Sequence, residues 1–134
     1  MLTFFTPNEA NSLLPDVQRM LQDLLVKKNR IQTERKTMQE LAVEEDSEAS
    51  ELGNKKIQEL MEEIERTVGL LEEMGCIVRH IDEGIVDFPA LRYGKQVYLC
   101  WRLGEPEVAY WHDMENGFAG RSRIRENEIA NAYV

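Results

Sequence analysis

The side chains that could do chemistry together lie between residues 87 and 121, in the C-terminal half of the chain. They combine carboxylates, guanidinium groups, an imidazole and an indole, which are groups that proteins use to hold charged or aromatic ligands. No complete catalytic constellation can be assembled from them, so we assign no catalytic residue and leave open whether the protein is an enzyme. The candidate binding residues are Asp87, Arg102, Glu105, Trp111, His112 and Arg121.

Metal chemistry is an alternative, because the chain contains two cysteines and two histidines. Their spacing does not favour structural zinc. Cys76 and His80 are four positions apart on a predicted strand, which separates them by about 13 Å, and neither Cys-x-x-Cys nor His-x-x-x-His occurs. We therefore predict no metal and no cofactor, and we expect His112 to pack at the edge of the core. One alternative remains, a single metal ion bound by His112 and one nearby carboxylate. The candidate carboxylates are Glu105, Glu107 and Asp113.

Nucleophilic catalysis has little support. The chain has no Gly-x-Ser-x-Gly motif. Cys100 lies in the middle of an apolar run, where a buried and inert thiol is expected. Segment 117–121 contains two glycines three positions apart and could form a backbone nest for an anion, but we favour a tight turn.

The first 75 residues predict an antiparallel helical hairpin. Apolar side chains recur at intervals of three and four from Leu14 to Ala42 and from Ile57 to Met74, a pattern typical of helices with a narrow apolar seam. The acidic segment 40–51 predicts the turn between them. A helix of about 28 residues is about 42 Å long, which is more than one compact domain needs. We therefore expect part of the seam to pack, like a coiled coil, against a second copy in a homodimer.

Local signals mark the helix ends. Thr6 and Glu9 have the spacing of a capping box, and Gly75 lies where a left-handed C-terminal cap belongs. Pro15 removes a backbone donor and predicts that the helix kinks or restarts there, so we expect a short helix followed by a long one.

Beyond residue 75, short apolar runs alternate with glycine-containing turns. This pattern predicts four antiparallel strands at residues 76–81, 85–91, 96–103 and 108–112. A hairpin tip at residues 93–94 pairs apolar side chains on one face, which packs on the helices. The predicted pairs are Ala90 with Val97, Phe88 with Leu99, and Val86 with Trp101.

The opposite face of the sheet carries polar candidates. An even number of residues in the next turn places Val108 and Tyr110 on the apolar face and Trp111 on the polar one. Asp87 then lies diagonal to Arg102, close enough for a carboxylate–guanidinium pair, with Trp111 beside them. We favour a structural pair on a face covered by a subunit or by the C-terminal tail over a ligand-binding surface.

The predicted fold class is therefore α+β, a long antiparallel helical hairpin packed on a small antiparallel sheet. A chain of 134 residues suits a single domain. Its predicted parts are the hairpin at 1–75, the sheet at 76–113, and a loop with the C-terminal tail at 114–134.

Composition limits the classes of partner. A net charge of −9 argues against a general binder of nucleic acid or of anionic membranes, since both need a cationic surface. The longest apolar run, from Val97 to Trp101, is far shorter than a membrane span, and no export signal is visible. We expect a cytoplasmic protein.

Several short motifs are spread along the chain. It opens with Phe-Thr-Pro at 5–7 and Ala-Asn-Ser-Leu-Leu-Pro at 10–15. The other motifs are Val-Asp-Phe-Pro-Ala-Leu at 86–91, Val-Tyr-Leu-Cys-Trp at 97–101, Leu-Gly-Glu-Pro at 103–106, Trp-His at 111–112 and Gly-Phe-Ala-Gly-Arg at 117–121. Together they resemble a bacterial family catalogued as domain of unknown function 2203, and the resemblance covers nearly the whole chain. A departure is Ser122, where the family pattern would have glutamine. The family implies no activity, substrate or catalytic residue.

Two functions follow from these observations. We predict a non-enzymatic binding or assembly module that self-associates through its hairpin. The alternative is an enzyme, or a binder of a small ligand or metal, that uses polar residues of the C-terminal sheet. An enzyme predicts a pocket on which the candidate side chains converge, whereas a module predicts side chains paired with each other over a flat or covered face.

Overall fold

The computed structural model describes residues 2–43 and 47–130. Within them the chain forms two long helices and an antiparallel sheet, which confirms the predicted α+β class. Helix α1 spans Pro7–Val43, and helix α2 spans Ser47–Glu73. The strands are β1 (Ile77–His80), β2 (Ile85–Arg92), β3 (Lys95–Arg102), β4 (Tyr110–His112), β5 (Ser122–Arg123) and β6 (Ile129–Ala130), and a short 3-10 helix spans Phe118–Gly120.

Helix α1 begins with the predicted capping box. The backbone N–H of Thr6 donates to Glu9 Oε1 at 3.0 Å, and the N–H of Glu9 donates to Thr6 Oγ1 at 3.2 Å. These two bonds satisfy backbone donors that the first helical turn leaves without a partner.

Pro15 lies inside α1 without dividing it, so the prediction of a short helix followed by a long one is wrong. The flanking side chains Ala10, Leu14 and Val17 are buried in the core. Their packing holds the helix in place and offsets the roughly 3 kcal/mol that a proline costs inside a helix.

The two helices extend further into segment 40–51 than predicted, because α1 continues to Val43 and α2 starts at Ser47. The rest of the predicted turn, residues 44–46, lies outside the described residues. At its other end α2 stops as predicted. Gly75 has φ +97°, its N–H donates to Glu72 O, and the next N–H, of Cys76, donates to Leu71 O. This is the Schellman arrangement that a glycine permits.

The core lies between the helical hairpin and one face of the sheet. Trp101 is fully buried there, as predicted, and its indole N–H donates to Glu105 O at 3.0 Å. The core side chains come from both layers: Leu14, Val17, Leu21 and Leu24 of α1, Leu71 of α2, and Val86, Phe88, Ala90, Val97, Leu99 and Trp101 of the sheet.

The strand order is β1-β2-β3-β4-β5, and β6 also pairs with β2. One edge of β2 is shared by β1 at its start and β6 at its end, and between them Phe5 N–H donates to Pro89 O at 2.8 Å. The β2–β3 register is the predicted one, with Ala90 opposite Val97. Strands β5 and β6 were not predicted, because two residues each are too short for a periodic pattern.

The β3–β4 register differs from the prediction by one residue. Cys100 pairs with Tyr110 and Leu99 with Trp111, so Tyr110 and His112 lie on the polar face and Trp111 on the face toward the helices. The cause is the connecting loop, where Val108 N–H donates to Asn11 Oδ1 at 2.7 Å. Val108 is buried in the core as expected, but its bond goes to α1 and β4 starts two residues later. A shift of one residue exchanges the faces of every side chain in the strand.

Candidate functional site

Three reactive side chains meet on the polar face of the sheet. Asp87 of β2 lies directly opposite Cys100 of β3, and His112 comes from the next strand, β4. Their exposed fractions are 1%, 0% and 5%. One ligand atom from each lies within 4.8 Å of the others. We refer to Asp87, Cys100 and His112 as the buried cluster.

The two carboxylate oxygens of Asp87 have different surroundings. Oδ2 accepts a hydrogen bond from Arg79 Nε at 2.8 Å and lies 2.8 Å from His112 Nε2. Oδ1 is buried and has no hydrogen-bond partner within residues 2–43 and 47–130. An unsatisfied buried polar atom costs about 1–3 kcal/mol. The position of Arg79 follows from a β-bulge between Val78 and His80, where the β1–β2 register shifts.

The imidazole of His112 is held from both sides. Its Nδ1 lies 2.8 Å from Asp113 O, and since a carbonyl oxygen only accepts, Nδ1–H is the donor in this contact. Its Nε2 faces the Asp87 carboxylate. Asp113 is fixed in turn, because its carboxylate accepts the N–H of Asn116 at 2.7 Å. That N–H bond is the main reason why the pKa of Asp113 lies below its usual value.

The thiols are weak nucleophiles in this fold. Burial raises the pKa of Cys100 to about 12, and the neighbouring Asp87 carboxylate acts in the same direction. Burial also raises the pKa of Cys76, in the core, to about 11. A thiol that stays protonated near neutral pH agrees with the sequence interpretation of Cys100 as inert.

The predicted Asp87–Arg102 pair is wrong. Among the described residues Asp87 forms an ion pair with Arg79 and contacts His112. Arg102 is exposed and its guanidinium lies 5.4 Å from the centre of the Phe118 ring. The physical reason is that β1 pairs with β2, with Ile77 opposite Asp87. The guanidinium of Arg79, and not that of Arg102, therefore contacts the carboxylate.

Glu105 and Arg121 form a bidentate ion pair. Arg121 Nη1 donates to Glu105 Oε1 at 2.9 Å, Nη2 donates to Oε2, and the guanidinium stacks between Tyr110 and Phe118 at 4.1 and 4.0 Å from the ring centres. Partial burial raises the pKa of Glu105, but the bonds from Arg121 and from the N–H of Arg102 outweigh it, so the pKa is lowered. This pair connects the C-terminal tail, through Arg121, to the β3–β4 loop, through Glu105, on the polar face of the sheet.

Trp111 does not lie beside Asp87, because the register shift turns it toward the helices. There the guanidinium of Arg92 lies 4.3 Å from the centre of the indole ring. Arg92 is also paired with Glu128 at 3.2 Å. The contacts of Trp111 are therefore those of a packing residue.

A cavity of about 310 Å³ opens at the buried cluster, between the start of β2 and the tail. Of the six candidates, Asp87 and His112 line it, whereas Glu105 and Arg121 are paired with each other. Within the described residues His112 is therefore grouped with Asp87 and Cys100, and not with Glu105, Glu107 or Asp113. The sequence analysis missed Arg79. If the first predicted strand is paired with the second, Arg79 lies near Asp87. The cavity is lined by Arg79, His80, Glu83, Ile85, Asp87, His112, Met114, Glu115, Asn116, Gly117 and Phe118.

Comparisons with known proteins place the chain in a family. Neither the curated proteins nor the solved structures that were searched gave a match. In the part of the chain that the structure describes, no helix is long and apolar enough to cross a membrane. A family model described as "Uncharacterized conserved protein (DUF2203)" matches residues 3–124, most of the sequence. The chain therefore belongs to this family of domains of unknown function, as its motifs had indicated.

Proposed function

We propose that the protein is a non-enzymatic assembly module whose helical hairpin binds a second copy of itself. The observation that carries this proposal is an open groove of about 620 Å³ between α1 and α2. Val26, half exposed at 50%, and Leu60 contribute its apolar wall. The other lining residues are Asn29, Arg30, Thr33, Glu34, Lys56, Glu59 and Glu63.

The hairpin extends beyond the layer that the sheet covers. Helix α1 has 37 residues and is about 55 Å long. Lys28 still reaches the β1–β2 turn, where its Nζ lies 2.6 Å from Asp82. Further along, the contacts of α1 are with α2, as in the approach of Met38 to Gly53. Helices derive most of their stability from tertiary packing, so a region two helices thick gains from a second hairpin, as in a four-helix bundle.

The charges of the groove suit a second copy better than a partner of one sign. Two cations, Arg30 and Lys56, lie among three carboxylates, Glu34, Glu59 and Glu63. Within one chain Lys56 lies 3.9 Å from Glu34, and Glu63 lies 3.2 Å from Lys27. In a two-fold contact each copy presents both signs to the other, so Arg30 of one copy can pair with Glu59 of the other. This is the reason for naming the chain itself as the occupant.

The test is the mass of the protein in solution. At micromolar concentration, sedimentation or light scattering is expected to give about twice 15.6 kDa. Substitutions of Leu24 or Ile31 are not diagnostic, because both side chains are buried within one chain. Val26→Glu is expected to give a monomer with unchanged helical circular dichroism. Leu70→Glu is the control, since Leu70 is similarly exposed at 53% but does not line the groove. A wild-type monomer would overturn the proposal.

A small-ligand or metal-binding role for the polar face is the second candidate. The unpartnered Oδ1 of Asp87 favours it, because this buried oxygen belongs to a residue that lines a cavity. Buried polar atoms in folded proteins are nearly always satisfied by protein, water or a ligand. The chemistry of the neighbouring side chains decides which ligand fits.

A further inference from the structure

The buried cluster has donor atoms of three kinds: a carboxylate oxygen of Asp87, the Sγ of Cys100 and the Nε2 of His112. All three residues are buried, and their donor atoms lie within 4.8 Å of one another. Ligand atoms around a four-coordinate zinc ion are roughly 3.3–3.8 Å apart, as its bond lengths of about 2.0–2.3 Å require. The cluster is therefore close to the size of a metal site.

We propose that Asp87, Cys100 and His112 form a binding site for one divalent transition-metal ion, with Zn²⁺ as the ion that best fits the ligand set. Thiolate and imidazole ligands favour zinc and its neighbours over magnesium and calcium, which bind mainly oxygen. With an ionised Asp87 and a Cys100 thiolate, the two ligand charges balance the charge of the ion. The ion takes the place of the thiol proton and of the proton in the contact between His112 Nε2 and Asp87 Oδ2, and both protons are released to solvent.

The orientation of His112 supports this assignment. Its Nδ1–H donates to Asp113 O, which leaves Nε2 as the atom directed at the cluster. Histidines that bind metals commonly donate their other ring N–H to a backbone carbonyl, which fixes the tautomer and the ring plane. The turn made by Asp113 and Asn116 holds that carbonyl in place.

The carboxylate of Asp87 is also held in a fixed orientation by a neighbouring side chain. Arg79 Nε holds Oδ2, and Oδ1 is buried without a partner among the described residues. A cation next to Oδ1 would give this oxygen a partner. Arg79 is then a positioning residue that orients the carboxylate and does not itself bind the ion.

Three protein ligands leave a fourth position, as in zinc sites that bind water or a substrate. Asp87 and His112 line the cavity of about 310 Å³, whereas Cys100 is fully buried and does not line it. The open position therefore faces the cavity, where Arg79 adds a positive charge. This arrangement would admit water or a small anion as the fourth ligand.

The experiment uses the full chain after removal of metal with a chelator. Zn²⁺ is titrated against a chromophoric competitor, and one equivalent per chain is expected to bind. Cys100→Ser and His112→Gln are each expected to weaken binding at least about 100-fold, and Arg79→Gln about tenfold. His80→Gln and Cys76→Ser are the matched controls with unchanged affinity. His80 lines the same cavity outside the cluster, and Cys76 is the other buried cysteine.

A second measurement does not depend on whether a ligand variant folds. Co²⁺ bound to the Cys76→Ser protein is expected to show a thiolate-to-cobalt charge-transfer band, which can then come only from Cys100. A spectrum without this band overturns the inference. So does the absence of Zn²⁺ binding, or an affinity that Cys100→Ser and His112→Gln leave unchanged. The result is independent of self-association, because a zinc-binding monomer would contradict only the proposed dimer and a zinc-free dimer only this site.

Discussion

The side-chain oxygen Oδ1 of Asn11 accepts a hydrogen bond from the backbone N–H of Val108 at 2.7 Å, across 97 positions of sequence. This bond ties α1 to the loop between β3 and β4. It takes Val108 out of the strand ladder, so pairing resumes at Tyr110 opposite Cys100. The consequence is that His112 lies beside Asp87 and not in the apolar core.

Asn11→Ala is expected to destabilise the protein by about 1–3 kcal/mol, because it leaves the N–H of Val108 without its acceptor in a partly buried site. Denaturation by urea measures the loss. Asn11→Asp keeps an acceptor oxygen at the same place and is expected to lose less. Asn8→Ala, an exposed position on the same helix, is the control. Equal stability of Asn11→Ala and wild type would contradict the role of this bond.

Local patterns in the sequence predicted most of the fold. The capping box at Thr6 and Glu9, the glycine cap at residue 75 and the β2–β3 register all depend on residues close in sequence, where spacing alone determines the geometry. The continuity of α1 through Pro15 cannot be predicted from local spacing, because it depends on packing against distant parts of the chain.

The candidate site was predicted less well for the same reason. Asp87 and His112 were both named, but the parity of the β3–β4 loop put them on opposite faces. In the loop that determines this parity, Val108 is bonded to Asn11, which is far away in sequence, and no local pattern reveals that bond. Arg79 was missed because the prediction did not pair the first strand with the second, where Ile77 lies opposite Asp87.

A double-mutant cycle can measure which residue is coupled to Asp87. In chelator-treated protein, Asp87→Asn and His112→Gln are expected to show a coupling energy of about 2 kcal/mol or more, because both side chains are buried and in contact. The cycle of Asp87→Asn with Arg102→Gln is expected to stay within about 0.5 kcal/mol of zero. The free energies come from urea denaturation of the single and double variants. Stronger coupling to Arg102 than to His112 would show that the pairing described here is wrong.

Thiol reactivity tests the burial of the two cysteines. Since burial raises the pKa of Cys76 to about 11 and that of Cys100 to about 12, the reactive thiolate is scarce at mildly alkaline pH. Metal-free native protein is expected to react slowly with Ellman's reagent, whereas urea-unfolded protein reacts rapidly at both thiols. Cys76→Ser, measured alone, reports on Cys100. A thiol that reacts as fast in the native as in the unfolded state would contradict its burial.

The Glu105–Arg121 pair predicts a specific loss of stability in acid. Because the folded pKa of Glu105 is lowered, its contribution is complete above the pKa of glutamate in the unfolded chain and is lost as the pH falls through the folded pKa. Glu105→Gln is expected to be less stable than wild type by about 1–2 kcal/mol at neutral pH, since the bidentate contact is only partly exposed. Urea denaturation at a series of pH values should show this difference shrinking in acid. Glu107→Gln, at an exposed position in the same loop, is expected to follow wild type throughout. A difference between Glu105→Gln and wild type that stays constant into acid would mean that Glu105 acts through its shape and not through its charge.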